Sequence, residues 1–252
     1  MSAGDLLPFF EERFSEVSDY LDLLEQLDAV TASSGTPRLA VSNYRITTSQ
    51  QRILYSSVYL QLYNLVEATV ARCVSAVTDA ATSAGHWLPH QLNEELQREW
   101  VRAVAQTHVD MTPEKRLKFA LELSNHITNQ LPIAGFVVDT GGGGNWDDEA
   151  IFKVGKRLGC RITNSPEVSK AVKSKTSGSE HGPLKLVKLR RNDLAHGSLS
   201  FVECAQNLVV RELRENANQV GAYLREVIEC FTQYINSHAF LRPAHQPSNG
   251  AA

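Results

Sequence analysis

Residues 189–197, LRRNDLAHG, place three polar groups of different chemistry within six positions of one another. Arg191 supplies a permanent cation, Asn192 supplies an amide, and His196 supplies a titratable imidazole. The segment before them has a helical composition, and Gly197 is typical of the position just past a helix end. We therefore predict that this motif occupies the last turns of a helix.

The spacing of the motif indicates a site for an anion. Asn192 and His196 are four residues apart and share one helical face, while the long Arg191 side chain reaches the same place from the flank. The helix dipole favours a positive side chain at this end of the helix. Because an arginine neutralises phosphate charge and a histidine moves protons, the pattern favours phosphoryl chemistry.

These residues resemble the signature of the HEPN superfamily, in which an Arg and a polar residue precede a short spacer and a His. The longer stretch 189–201, LRRNDLAHGSLSF, is similar to the MAE-type HEPN-like nucleases. Residues 60–70, LQLYNLVEATV, resemble the first HEPN helix, where an acidic residue such as Glu67 interrupts an apolar face. The resemblance implies an all-α HEPN-like helical bundle, here with additional N-terminal and inserted helices.

The resemblance also implies a function. It assigns Arg191, Asn192 and His196 to the catalytic site of a metal-independent endoribonuclease that forms a 2′,3′-cyclic phosphate. Glu67 and Asp193 are candidate supporting residues. Family members need no cofactor, act on RNA as homodimers with a composite cleft, and occur in phage defence and in toxin–antitoxin pairs, where an inhibitory protein partner is expected. Because the spacer varies in the family, Arg190 could take the place of Arg191.

The charge distribution favours a polyanionic partner. The net charge of the chain is −3, yet residues 151–191 contain eleven Lys and Arg against two Glu and carry +9, which leaves −12 for the rest. Basic charge gathered just before the motif is typical of a nucleic-acid surface, although a solvated helix face is the simpler alternative. The residues expected to contact nucleic acid are Arg190, Lys188, Lys185, Lys175 and Lys173.

The composition favours a globular protein without a membrane anchor. The chain has 252 residues, 42% of them hydrophobic, and no apolar run reaches the length of a membrane helix. The first residues lack the order of a signal peptide, so we expect a cytoplasmic protein. The four cysteines lack metal-ligand spacing, which predicts free thiols and no metal site.

Apolar periodicity divides the chain into three parts. Residues 1–43 are predicted to form an acidic amphipathic helix and a linker, residues 44–241 a HEPN-like helical domain, and residues 242–252 a disordered tail. Within the domain, helices are expected at about 47–82, 91–110, 113–131 and 209–237, besides the motif helix. The glycine run 141–144 predicts a loop before a capped helix rather than a phosphate-binding loop, because no Gly-Lys-Ser/Thr follows it.

Two other functions fit the same residues. Arg191 and His196 could hold carboxylates or carbonyl groups at a helix end, in a non-catalytic helical module that binds RNA or protein. HEPN-like chains also serve as partners of nucleotidyl-transfer enzymes, although no transferase motif occurs in this sequence.

Overall fold

Helices make up nearly all of the regular structure in the computed structural model, which describes residues 3–34, 38–39, 44–83, 87–107, 109–140, 145–176 and 179–247. Within these residues the only strands are β1 (Arg38–Leu39) and β2 (Tyr44–Arg45), which pair antiparallel. The α-helices of the described residues are α1 (Leu6–Ser34), α2 (Thr48–Ser83), α3 (Glu94–Ala105), α4 (Pro113–Thr128), α5 (Asp148–Leu158), α6 (Pro166–Lys173), α7 (Pro183–Ala195), α8 (Phe201–Cys204) and α9 (Val210–Asn236). The predicted all-α class is confirmed.

The core lies between the three longest helices. α1, α2 and α9 pack against one another, and α7 and α8 cover the remaining side of α2. Phe10, Leu62 and Phe231, one from each long helix, are fully buried. Their apolar positions recur every three to four residues, so each helix places one apolar stripe against the others.

The acidic face of α1 is partly used inside the bundle. Glu11 Oε1 lies 2.6 Å from Arg225 Nε of α9, and Glu25 Oε1 lies 2.7 Å from Arg214 Nε of the same helix. Although the sequence predicts a boundary near residue 43, α1 therefore shares its core and its ion pairs with the helices that follow.

Local signals set the ends of the shorter helices. Thr112 caps α4 with Pro113 in the first position, and Asp147 Oδ1 accepts from Ala150 N at 2.9 Å to cap α5. Gly159, with φ of +79°, ends α5 in the left-handed region that glycine adopts without strain. The predicted helix start at residue 113 is confirmed, as is the predicted capped helix that follows the glycine run.

Two segments differ from the prediction. Residues 198–207 contain the short helix α8, because Ser200 and Glu203 form a capping box. Residues 242–247 are not a free tail: Arg242 N donates to Gln91 O at 2.8 Å, and Arg242 Nε donates to Leu92 O at 3.0 Å. The tail was predicted from its Pro and Gly content, which does not reveal these hydrogen bonds to the chain before α3. Residues 248–252 and the glycine run 141–144 lie outside the described residues.

In the described part of the chain, no helix combines the length and the apolar composition required to span a membrane.

Candidate active site

The motif lies at the carboxyl end of α7, as predicted. Leu186, Val187 and Leu194 are buried and hold one side of the helix on the bundle. The His196 amide donates to Asn192 O at 2.9 Å and completes the last turn, after which Gly197 has φ of +72°. The His196 side chain is exposed, so its imidazole is accessible to a ligand.

Two contacts fix the Arg191 guanidinium. Arg191 Cζ lies 4.5 Å from the centre of the Tyr63 ring on α2, and Arg191 Nη1 donates to Asn192 Oδ1 at 2.9 Å. The aromatic face attracts the cation, and the amide draws it toward the side of α7 that carries Asn192. Asn192 is one helical turn before His196, so all three residues of the motif belong to the carboxyl-terminal end of α7.

The residue that follows the glycine run joins this network. Asn192 Nδ2 donates to Asn145 Oδ1 at 3.0 Å, and the Trp146 amide donates to the Tyr63 hydroxyl at 3.3 Å. The segment 145–147 therefore bridges α2 and α7 directly beside the motif.

An ion pair holds the same segment from the other side. Lys188 Nζ pairs with Asp147, and the two side chains are only 19% and 10% exposed. Burial alone would raise the pKa of Asp147, but the hydrogen bonds from Lys188 and from the Ala150 amide lower it below its usual value. Lys188 is thus engaged as the partner of Asp147, and its predicted contact with nucleic acid stays a prediction.

Glu67 lies beside the motif, in a groove along α2. Leu60, Tyr63, Glu67 and Arg191 line this groove, whose volume is about 420 Å³. Burial raises the pKa of Tyr63, the charge of Glu67 adds to that effect, and the charge of Arg191 opposes it. Glu67 and Arg191 therefore act on the same aromatic ring from one groove.

Arg190 points elsewhere. It lines a separate pocket of about 150 Å³ with Tyr59, Cys204 and Glu212. Within the described residues its buried Nε has no hydrogen-bond partner. Burial raises the pKa of the Cys204 thiol, the Arg190 charge opposes this, and the Asp193 charge adds to it. Arg190 and Asp193 thus act on the α8 side of α7, whereas Arg191 lies beside Asn192.

The remaining predicted nucleic-acid contacts have different surroundings. Lys175 pairs with Glu180, and both side chains are largely exposed. Lys173 and Lys185 are exposed, and neither forms an ion pair with any residue of the described ranges. These two lysines are the members of the predicted set that are most available to an RNA backbone.

Sequence reasoning missed Tyr63, Asn145 and Trp146 as neighbours of the motif. Tyr63 belongs to a row with Tyr55 and Tyr59 that is typical of a core edge, and its buried ring agrees with that interpretation. Its second role, as the platform for Arg191, depends on the packing of α7 against α2. No sequence signal within either helix predicts that contact.

No group of three or more His, Cys, Asp or Glu side chains arranged for a metal ion occurs in the ranges that the structure describes.

Comparison with known proteins places the chain in a family. The family model described as HEPN_MAE_28990/-like HEPN matches residues 5–240. No curated protein and no solved structure gives a significant match. The matched range contains all the helices from α1 to α9. The chain therefore belongs to the HEPN_MAE_28990/-like HEPN family.

Proposed function

We propose that this chain is a metal-independent endoribonuclease that uses the 2′-hydroxyl group of its RNA substrate as the nucleophile. HEPN domains are generally associated with ribonuclease activity. The observation that carries the proposal is the fixed Arg191 guanidinium, held by Tyr63 and Asn192 one turn from the exposed imidazole of His196. A cation and a titratable group at an accessible helix end are what cleavage of a phosphodiester requires.

In the proposed reaction the 2′-oxygen attacks the adjacent phosphorus and the bond from phosphorus to the 5′-oxygen breaks. A base removes the 2′-hydroxyl proton, and an acid protonates the leaving 5′-oxygen. The products are a 2′,3′-cyclic phosphate and a 5′-hydroxyl end. His196 performs one of the proton transfers, and Arg191 stabilises the negative charge of the transition state. Asn192 positions the guanidinium through the hydrogen bond at 2.9 Å.

The second proton transfer needs a second group. Each chain contributes one histidine to the motif, so we propose a two-fold homodimer in which two α7 ends form one cleft. By analogy with other HEPN proteins, we place this activity in the cytoplasm, in phage defence or in a toxin–antitoxin pair with an inhibitory protein. Glu67 shares the groove with Arg191. There it would form an ion pair with a basic residue near the site, in the RNA complex or on the partner subunit.

The test is RNA cleavage in EDTA with structured and unstructured substrates. We expect the wild-type chain to cleave, His196→Ala and Arg191→Ala to lose at least about 100-fold in rate, and Asn192→Ala to lose about tenfold. His90→Ala is the matched control, because His90 is an exposed histidine outside the motif. Equal traces of cleavage in all variants would contradict the proposal.

One observation favours a non-catalytic interaction module as the alternative function. Leu117 and Leu121 lie four residues apart on α4 and are 62% and 61% exposed, and no residue of α4 is buried. An apolar row on a weakly packed helix is typical of a protein-binding surface. In that case, the double variant Leu117→Ser, Leu121→Ser would abolish partner binding, whereas His196→Ala would leave partner binding unchanged.

A further inference from the structure

A pocket of about 370 Å³ lies between the amino end of α5, helix α6 and the middle of α9. We call it the α5–α6 pocket. The lining residues that matter for its chemistry are Asp148, Phe152, Ile162, Asn164, Lys173 and Tyr223. Its volume lies within the range of sites for small organic groups.

The walls of this pocket suit a flat ring. Phe152 is 53% exposed, although it is a large apolar side chain, whereas Tyr223 and Ile162 are buried in the wall. Because water contacts more than half of the Phe152 side chain, a planar group that stacks on it would remove apolar surface from water. Nucleobases stack on aromatic side chains in this way in single-stranded complexes.

Two polar groups of the pocket, Asp148 and Asn164, can accept hydrogen bonds, whereas Lys153 and Lys173 of the same lining carry positive charge. Asn164 Nδ2 donates to Glu226 Oε2 at 3.1 Å, which orients the amide and leaves its oxygen as an acceptor. Asp148 supplies a carboxylate, and burial together with the neighbouring charges of Asp147 and Glu149 raises its pKa. An N–H donor would therefore stabilise the ionised Asp148. A carboxylate recognises the amino group at the edge of a base such as cytosine.

The segment 145–148 links the pocket to the motif: Asn145 Oδ1 accepts from Asn192 Nδ2 at 3.0 Å, and Asp148 lines the pocket. Asp148 follows Asp147, which pairs with Lys188, and the charge of Lys185 also lowers the pKa of Asp147. Lys185 and Asn192 are seven residues apart on α7, which corresponds to about 10 Å along the helix. Lys185, in the first turn of α7, and Lys173, which lines the pocket, are both exposed and would neutralise RNA phosphates.

We propose that the α5–α6 pocket binds one base of a single-stranded RNA, stacked on Phe152 and offering an exocyclic amino group to Asp148. As a specificity site for cleavage the pocket rests on the proposed function, but base binding itself does not require cleavage.

The test measures binding of six-nucleotide 2′-O-methyl RNAs by fluorescence anisotropy. The methyl group blocks the nucleophile, so binding is separated from cleavage. Cytosine and uracil have the same ring size and differ at the amino or carbonyl group that would face Asp148. We expect the cytidine oligonucleotide to bind at least tenfold more tightly than the uridine one. Phe152→Ala should weaken both about tenfold, and Asp148→Asn should bring the ratio close to one.

Leu23→Ala is the matched control, because Leu23 is an exposed apolar residue of α1, 51% exposed, and its replacement should leave both affinities unchanged. His196→Ala should retain the full preference for cytidine. Equal affinities in the wild-type chain would overturn the inference, as would an unchanged ratio in an Asp148→Asn variant with wild-type helicity and Tm. If Asp148→Asn does not fold, the ratio of the cytidine and uridine affinities in the wild type and the affinities of Phe152→Ala still test the inference.

The two proposals fail differently. If the chain prefers cytidine through Phe152 and Asp148 but never cleaves RNA, the base-binding proposal is supported and the nuclease proposal is contradicted. If the chain cleaves RNA with His196 but binds both oligonucleotides equally, the nuclease proposal is supported and the base-binding proposal is contradicted.

Discussion

Arg191 depends on Tyr63 for its position. The guanidinium lies 4.5 Å from the ring centre, and the Tyr63 hydroxyl accepts from the Trp146 amide. A contact between a cation and an aromatic face contributes about 0.5–2 kcal/mol. A small displacement of the guanidinium would lower the rate further, because catalysis is sensitive to orientation.

Tyr63→Leu should lower the RNA cleavage rate about tenfold, because it removes the aromatic platform, and Tyr63→Phe should stay within about threefold of wild type, because it retains the ring. Tyr59→Leu is a matched control: Tyr59 is on the same helix and, like Tyr63, only 2% exposed, but it faces Arg190. Single-turnover rates measure the effect. Equal losses in the two leucine variants would show that core damage, rather than the platform, sets the rate.

At the level of individual residues, the sequence predicts the motif but not the residues that surround it. Arg191, Asn192 and His196 are close in sequence, so helical periodicity alone brings them to one end of α7. Asn145 and Tyr63 reach Asn192 and Arg191 only through the packing of three segments far apart in sequence. Periodicity within one segment contains no information on such contacts.

The anchor between the start of α5 and helix α7 is the ion pair of Asp147 with Lys188, which is nearly buried. Removing one member of a buried pair leaves an unpaired charge and is strongly destabilising. Lys188→Met should therefore lower the free energy of unfolding by about 3 kcal/mol at pH 7, and a double variant with Asp147→Asn should recover part of it. Urea denaturation of the wild type, Lys188→Met, Asp147→Asn and the double variant measures the coupling energy between the two side chains.

The effect of this pair on stability should depend on pH. Since the pKa of Asp147 is lowered in the folded chain, its contribution is complete above the unfolded pKa of about 4 and is lost as the pH falls below that value. The difference between wild type and Lys188→Met should thus shrink between pH 5 and pH 3. A constant difference across this range would contradict the assignment.

Lys185 lies about one turn before Lys188 on α7. Whereas Lys188 is engaged in the ion pair with Asp147, Lys185 is predicted to bind RNA. It is exposed and available to phosphate, so Lys185→Ala should weaken binding of the non-cleavable RNA and reduce the slope of log affinity against log salt by about 0.7. Lys118→Ala, on α4, is the control and should leave the slope unchanged. Identical slopes for all three proteins would exclude Lys185 from the RNA surface.

Helix ends follow from the sequence where a cap or a proline marks them. Thr112 with Pro113 marks the start of α4, and Asp147 and Gly159 mark the start and the end of α5. The four-residue helix α8 is too short for an apolar stripe, and its sequence signal is the capping box of Ser200 and Glu203.

For the whole molecule, the sequence predicts the number of long helices better than their grouping. The acidic residues of α1 indicate a solvated face of an amphipathic helix, yet Arg225 and Arg214 of α9 pair with that face. Partners more than 180 residues away cannot be recognised from the pattern of α1 alone. The family match over residues 5–240 includes α1.

Assembly is the property of the whole molecule that the proposed mechanism requires. We expect sedimentation to give a dimer, because each chain contributes one motif histidine to a cleft that needs two proton transfers. Adding an excess of His196→Ala chains to wild-type chains should lower the cleavage rate, because each heterodimer retains only one of the two motif histidines. A monomer that retains full, concentration-independent cleavage dependent on His196 would exclude the composite cleft.

The most direct test of the nuclease proposal is the chemistry of the RNA ends formed in EDTA. The account predicts a 2′,3′-cyclic phosphate and a 5′-hydroxyl, with no cleavage where a 2′-O-methyl group replaces the nucleophile and none with His196→Ala. Products that end in a 3′-hydroxyl and a 5′-phosphate, or cleavage that persists without His196, would contradict it.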